Sequence, residues 1–116
     1  MPAIDTITSE LANRGWSLGD LAFYQGAAPV WQVFGHCDEQ RVVARAPSQQ
    51  DAWRLAADLV VKVRRAAFEE RLMAIERELQ KSSQPESHDP RLLEESDAIE
   101  FELGRDEIFH RVWLTE

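Results

Sequence analysis

The adjacent pair His36-Cys37 is the place in the sequence where a nucleophile and a base come closest together. A thiolate activated by an imidazole could carry out covalent catalysis if the two side chains faced each other. The surrounding residues predict a strand, and neighbouring residues of a strand point to opposite faces. We therefore interpret Cys37 as a small buried or turn residue and not as a catalytic nucleophile.

The spacing of the other reactive residues does not support catalysis or metal binding. His36, His88 and His110 could join Cys37 around zinc, but no CxxC, HxxxH or HExxH spacing is present to begin such a site. The Glu-Phe-Glu at 100–102 would place two carboxylates on one strand face, yet acid-base catalysis requires a desolvated carboxyl group, and acidic stretches are usually solvated. The five glycines are scattered and form no phosphate-binding loop. We expect no enzymatic activity, no metal and no cofactor.

The charge of the chain is strongly negative and unevenly distributed. Its 116 residues include 13 lysines and arginines and 21 aspartates and glutamates, for a net charge of −8. Residues 82–116 hold 3 of the basic and 10 of the acidic residues, so they carry −7 of that charge. The candidate basic patch is Lys62, Arg64, Arg65 and Arg71, which we interpret as a solvated helix face. Tight binding of nucleic acid is therefore not expected, because such binding depends on neutralising phosphates.

The length and composition predict one soluble domain in the cytoplasm. No apolar run is long enough to cross a membrane, and charged residues interrupt the first twenty positions where a signal peptide would have its apolar core. The single cysteine fits a reducing compartment. With 44% hydrophobic residues, the chain has enough apolar surface to form a core without disulfides.

The first half of the sequence predicts a helix followed by three strands. Apolar residues spaced by three and four predict a helix over 4–14. Alternating and β-branched residues then predict strands over 21–25, 30–36 and 41–46, separated by turn-forming residues. Short strands joined by tight turns form an antiparallel meander.

A long helix is predicted from residue 49 to about 81, after the break at Pro47 and the capping sequence that starts at Ser48. Its first half is broadly apolar, as suits packing on a sheet. Its second half narrows to a seam at coiled-coil spacing, formed by Phe68, Leu72, Ile75 and Leu79. A helix of this length spans roughly 50 Å, whereas a compact domain of this size is about 35 Å across. We expect the overhanging seam to form a homodimer interface, or to be covered by the chain's own C-terminal residues.

The last third of the chain predicts a linker over 82–90 and an acidic C-terminal element over 91–116, which packs on the 1–81 core or on a second subunit. A short helix is expected at 91–95. For 97–116, alternating apolar residues favour a β-hairpin, although a four-residue spacing also fits a helix. The fold class is therefore α+β.

The stretch VVARAPSQQDAWRLAADLV resembles the last strand and second helix of the double-stranded-RNA-binding domain, and residues 4–66 have the same order of elements. The resemblance implies an α-β-β-β-α fold and suggests nucleic-acid binding. That family holds phosphates with lysines at the helix start, where this chain has Ser48-Gln49-Gln50-Asp51.

Together these features predict a small acidic, non-enzymatic interaction protein that acts as a homodimer. It would mask a basic partner protein, as secretion chaperones and toxin-neutralising inhibitors do. One alternative is a nucleic-acid-binding module that uses the candidate basic patch. The other is a ligand-binding protein with a pocket lined by Trp31 and Trp53.

Overall fold

The elements follow one another in the order helix, three strands, helix and helix, which confirms the predicted α+β class. The computed structural model describes residues 4–81 and 89–114. The elements are helix α1 (Ile4–Asn13), strands β1 (Ser17–Gln25), β2 (Ala28–Cys37) and β3 (Gln40–Ala46), helix α2 (Gln49–Gln80) and helix α3 (Pro90–Phe109), which continues into a π-helical turn (His110–Leu114). Most of the predicted linker, residues 82–88, lies outside the described residues.

Two tight turns join the strands into an antiparallel sheet with the order β1-β2-β3. The connections consist of residues 26–27 and 38–39. Gly26 and Asp38 have φ angles of 67° and 53°, a left-handed conformation that glycine and aspartate tolerate. The predicted meander is therefore confirmed, and its first strand begins earlier than expected, at Ser17.

The core lies between the inner face of the sheet and the first half of α2, and α1 closes it at one side. Its buried apolar residues include Ile7, Leu11, Trp16, Val33, Val42, Ala44, Ala52, Trp53, Ala56, Ala57, Val60 and Val61. Several of the α2 positions are alanines, which allow the helix to approach the strands closely. Ser48 caps α2 by accepting a hydrogen bond from the Asp51 backbone N–H at 3.2 Å, as its sequence predicts.

The prediction of a β-hairpin over 97–116 is wrong, because this segment is helical through the end of its described part. The short helix predicted at 91–95 is the beginning of α3. Ile99, Asp106 and Phe109 are buried, and their spacings of seven and three fit one face of a helix. The second half of α2 offers a helical surface on which such a face can pack, whereas an isolated two-stranded ribbon is only marginally stable.

The second half of α2 and helix α3 form a two-helix arm that extends from the sheet. Ile75 is only 2% exposed, and Phe68, Leu72 and Leu79 are half-buried. The sequence allowed the seam to be covered by a second subunit or by the chain's own C-terminal residues. In the structure, helix α3 of the same chain packs on it. The arm gives the molecule dimensions of 66 × 25 × 19 Å and a radius of gyration of 17.9 Å, against about 13 Å for a compact domain of this length.

A buried ion-pair network, formed by Arg14, Arg64 and Asp106, fastens α3 to the rest of the chain. Nε of Arg14 donates to Oδ1 of Asp106 at 2.7 Å, and Nε of Arg64 donates to Oδ2 at 2.6 Å. The outer nitrogens of the two guanidinium groups reach Glu10 at 2.9 Å and Glu102 at 2.7 Å. One carboxylate thus joins the residue that follows α1 to α2 and α3, and it is the shared hydrogen-bond partner of both guanidinium groups.

Replacing the shared carboxylate is expected to destabilise the whole fold. Asp106→Ala leaves two buried guanidinium groups without their main partner and should cost about 3–5 kcal/mol in the free energy of unfolding, measured by urea denaturation. The control is Glu95→Gln, which breaks the exposed ion pair with Arg71 on the arm and should cost much less. Equal losses in the two variants would contradict a central role for Asp106.

Candidate functional site

One face of the sheet is not covered by any described helix, and we call it the outer sheet face. Its residues are those whose side chains alternate away from α2, namely Leu21, Phe23, Val30, Gln32, Phe34, His36, Arg41, Val43 and Arg45. The inner residues of the same strands, such as Val33 and Ala44, are buried. Antiparallel sheets with one solvated face normally carry polar residues there. Here the centre of that face is apolar.

The centre of the outer sheet face is formed by Leu21, Phe34 and Val43, which are all exposed. The tip of the Phe34 ring lies over Gly19, where a Cβ atom would be only 3.1 Å from the ring. Glycine at this position therefore lets the aromatic ring rest on β1. The result is a shallow apolar surface that is built by all three strands.

The charge of this face differs from that of the chain as a whole. Nε of Arg45 donates to Oε1 of Gln32 at 2.8 Å, and the Arg45 guanidinium lies 5.7 Å from the centre of the Phe23 ring. At the opposite end of the outer sheet face, His36 of β2 and Arg41 of β3 are directly opposite each other in the strand register. Within the three described strands, no outward position holds aspartate or glutamate. In a chain of net charge −8, this is a locally positive surface.

A cleft adjoins the outer sheet face where β3 ends and α2 begins. It has a volume of about 310 Å³ and is lined by Arg45, Ala46, Pro47, Asp51, Arg54 and Leu55. Leu55 is exposed at its wall. The cleft extends the apolar centre past Arg45 and offers a recess into which a side chain of a bound molecule could fit.

Asp20 holds the start of α2 against the inner face of the sheet. Its Oδ2 atom accepts hydrogen bonds from Nε2 of Gln49 at 2.7 Å and from Nε1 of Trp53 at 2.9 Å. The bond from Gln49, followed by that from Trp53, lowers the pKa of the Asp20 carboxyl below its usual value. Trp53 is buried and Trp31 packs against the same core, so these rings fill the interior where a ligand pocket was proposed.

The residues of the candidate basic patch do not form one surface. Nζ of Lys62 pairs with Asp58 at 2.8 Å, Arg64 is buried against Asp106, and Arg71 pairs with Glu95. Arg65 is exposed. Two of these four residues, Arg64 and Arg71, thus pair with carboxylates of α3, and Lys62 pairs within α2.

The seam residues are brought together, but they face α3. Leu72, Ile75 and Leu79 line a groove of about 310 Å³ between the helices, which Ser96 and Glu100 border on the α3 side. The groove is a gap in the helix packing within one chain. Helix α3 covers part of the seam, so Ile75 is buried while Leu72 and Leu79 are half-buried.

His36 and Cys37 lie on opposite faces of β2. His36 is exposed on the outer sheet face, whereas Cys37 is half-buried beside the position of Gly15. His110 contacts Asp58 instead, with 2.9 Å between Nε2 and Oδ1. Among residues 4–81 and 89–114, no three histidine, cysteine or acidic side chains are grouped as metal ligands.

Comparison with known proteins identifies no relative, since no family model, curated protein or solved structure matches the chain. None of the helices in the described part of the chain is long and apolar enough to cross a bilayer. The function is therefore inferred from the chemistry of the site.

Sequence reasoning did not single out the outer sheet face. The signal in the sequence was that apolar residues occupy both the inward and the outward positions of the same strands. Val42 and Val43 are adjacent on β3, as are Val33 and Phe34 on β2, and only one of each pair can face the core. This excess indicates a strand with two apolar faces and hence a surface that lacks a cover.

The stability contributed by Asp20 is expected to depend on pH. Because its pKa is lowered in the folded chain, the ionised carboxyl favours folding. That contribution is complete above the unfolded pKa of about 3.9 and is lost as the pH falls through the folded value. Asp20→Asn should therefore lower the free energy of unfolding, measured by urea denaturation, most at pH 7 and less as the pH approaches 3.

The matched control for this measurement is Asp38→Asn, which changes an exposed aspartate in a turn of the same sheet. If the Asp20→Asn penalty were the same at both pH values, the hydrogen bonds to Gln49 and Trp53 would not depend on ionisation of Asp20, and the prediction would be wrong.

Proposed function

We propose that the protein is a non-enzymatic interaction module that binds another protein through its outer sheet face. The observation that carries the proposal is an exposed apolar centre with arginines and no carboxylate, in a chain of net charge −8. Protein interfaces are enriched in aromatic residues and arginine, and depleted of lysine, aspartate and glutamate. The outer sheet face has that composition, and its strands provide a rigid support.

The same face indicates the chemistry of the partner. Apolar side chains of the partner would cover Leu21, Phe34 and Val43, and its carboxylates would meet Arg41 and Arg45. Arg45 is already oriented by Gln32 and by the Phe23 ring, so little side-chain freedom remains to be lost on binding. The partner is therefore an acidic protein surface with an apolar centre.

Nucleic acid is the less favoured occupant. Open sheets with aromatic residues do bind single strands, because bases stack on the rings. Affinity for a strand grows with the number of phosphates that are neutralised, and the outer sheet face offers two arginines and one histidine. The remainder of the chain is acidic and repels phosphate.

The masking of a basic partner by the acidic C-terminal element receives less support. Glu95, Glu102 and Asp106 pair with arginines of the same chain, and Glu107 pairs with Arg111. These carboxylates stabilise the arm and its attachment and are thus partly neutralised. A homodimer through the predicted seam has less apolar surface available to it, because α3 packs on the same residues. The cytoplasmic location stays a prediction, which the single cysteine favours.

Site-specific photo-crosslinking in the cells that make the chain tests the proposal. A photoreactive phenylalanine derivative replaces Val43, which is 54% exposed on the outer sheet face. We expect a covalent adduct with a protein whose contact peptide is rich in acidic and apolar residues. The adduct should be lost when Arg45→Glu is added, because that change reverses the charge at the rim.

The matched control carries the same photoreactive group at Met73, which is 60% exposed on α2 and lies far from the sheet along the arm. Equal adducts at both positions would contradict a specific outer sheet face. Adducts with nucleic acid at Val43 would favour the alternative function. A protein adduct that survives Arg45→Glu would show that the partner's acidity is not what the face recognises.

A further inference from the structure

Strand β3 pairs with β2 on one side, and no other strand of the described residues pairs with its other side. In an antiparallel pair, successive residues direct their backbone N–H and C=O groups alternately toward the partner strand and away from it. The two-residue turn between β2 and β3 closes with hydrogen bonds between its flanking residues, Cys37 and Gln40. The free edge of β3 therefore presents the backbone groups of Arg41, Val43 and Arg45.

The same three residues carry the outward side chains of β3, since exposed and buried positions alternate along this strand. Free backbone groups and outward side chains thus coincide at Arg41, Val43 and Arg45. At roughly 3.4 Å per residue, the Cα atoms of the two arginines lie about 14 Å apart. A strand laid against this edge meets a positive, an apolar and a positive side chain at every second position.

The cleft between β3 and α2 opens at the same edge. It is bordered by Arg45, whose side chain lies on the outer sheet face, and by Leu55 of α2, which packs on the inner face. A space that touches both sides of the sheet lies at the margin of β3. Asp51 and Arg54, which also line the cleft, carry opposite charges, and Leu55 is 48% exposed. An inward side chain of an added strand would therefore meet an apolar wall here.

We propose that the partner binds by adding an antiparallel strand to the free edge of β3, an inference that rests on the proposed function of the outer sheet face. The added strand has acidic side chains opposite Arg41 and Arg45 and an apolar side chain opposite Val43. Its recognition pattern is acidic-x-apolar-x-acidic, preceded by an apolar residue that faces the cleft. Backbone hydrogen bonds supply affinity in this mode of binding, and alternate side chains supply specificity.

The charges along β3 favour a partner strand over a second copy. Antiparallel pairing of β3 with itself about Val43 would place Arg41 of each copy opposite Arg45 of the other, and like charges directly opposite destabilise a strand pair. Registers shifted by two residues keep only two of these three residues within the paired strands. The other edge of the sheet, β1, contains no basic residue. The edge of β3 is therefore the one that selects an acidic strand.

Binding of a synthetic peptide to the full chain tests strand addition. The probe is a fluorescently labelled peptide with the core Val-Glu-Thr-Val-Thr-Glu and blocked ends, and fluorescence anisotropy measures its dissociation constant. Methylation of the amide nitrogen of the central valine should raise this constant at least about tenfold, because that N–H would donate to β3. Methylation of the next threonine amide, which would point away from β3, is the matched control and should change it little.

Variants of the chain test the charge pattern. Arg41→Gln and Arg45→Gln should each raise the dissociation constant by up to about fivefold, as expected for loss of one cross-strand ion pair. Arg91→Gln, which changes an exposed arginine at the start of α3, should leave it unchanged. Hydrogen exchange measured by NMR then locates the strand. Exchange of the backbone amides of Arg41, Val43 and Arg45 should slow at least about tenfold when the peptide binds.

No binding at millimolar peptide, or equal effects of the two methylated peptides, would overturn the proposal. So would slowed exchange in β1 and not in β3. Protection of the β3 edge in the free chain that is lost on dilution would show that a second copy occupies it. A partner that crosslinks at Val43 in cells but leaves the β3 amides unprotected would reject the added strand and leave the proposed function intact.

Discussion

The carboxylate of Asp106, shared by Arg14 and Arg64, is the interaction on which the arrangement of the helices depends. A single buried arginine would be costly, and two would be more so, but both Nε atoms bind the same carboxylate within 2.7 Å. The Arg14 guanidinium also lies 4.9 Å from the centre of the Phe109 ring, and that of Arg64 lies 5.0 Å from Phe68. The charged groups are thus enclosed by aromatic surface, and α3 is held in one position along α2. Helix α3 keeps its position relative to α1 and α2 because of this contact.

Local patterns in the sequence predict the sheet and α2 because each of those elements depends on its own residues. The turns at 26–27 and 38–39, the cap at Ser48 and the uninterrupted stretch up to residue 81 are all short-range signals. Local patterns do not determine the structure of 97–116, because its alternation favours a strand and its four-residue spacing also fits a helix. The structure shows the long-range contact that the segment makes, since the buried face of α3 packs on the second half of α2. Which residues of α3 are buried depends on the surface of α2 on which they pack, so the sequence of α3 alone does not show them.

The two exposed surfaces were missed for a related reason. Sequence periodicity identifies apolar residues such as Val43 and Phe101, but it does not show which of them the core will cover. In the structure, Leu21, Phe34 and Val43 lie exposed on one sheet face, and Phe101 and Ile108 lie exposed on one helix face. For the charged residues, the cluster visible in the sequence is not the accessible positive surface of the structure. Lys62, Arg64 and Arg71 attracted attention as a cluster, whereas Arg41 and Arg45, which alternate on a strand, form the more accessible positive surface.

The contact between Arg14 and Asp106 spans 92 positions of the chain. During synthesis, residue 14 leaves the ribosome well before residue 106, and until α3 follows, Arg14 can pair with Glu10 of the preceding helix but not with Asp106. Closure of so long a loop is slow relative to helix and hairpin formation. The attachment of α1 to α3 therefore depends on a helix that is synthesised after the sheet and α2.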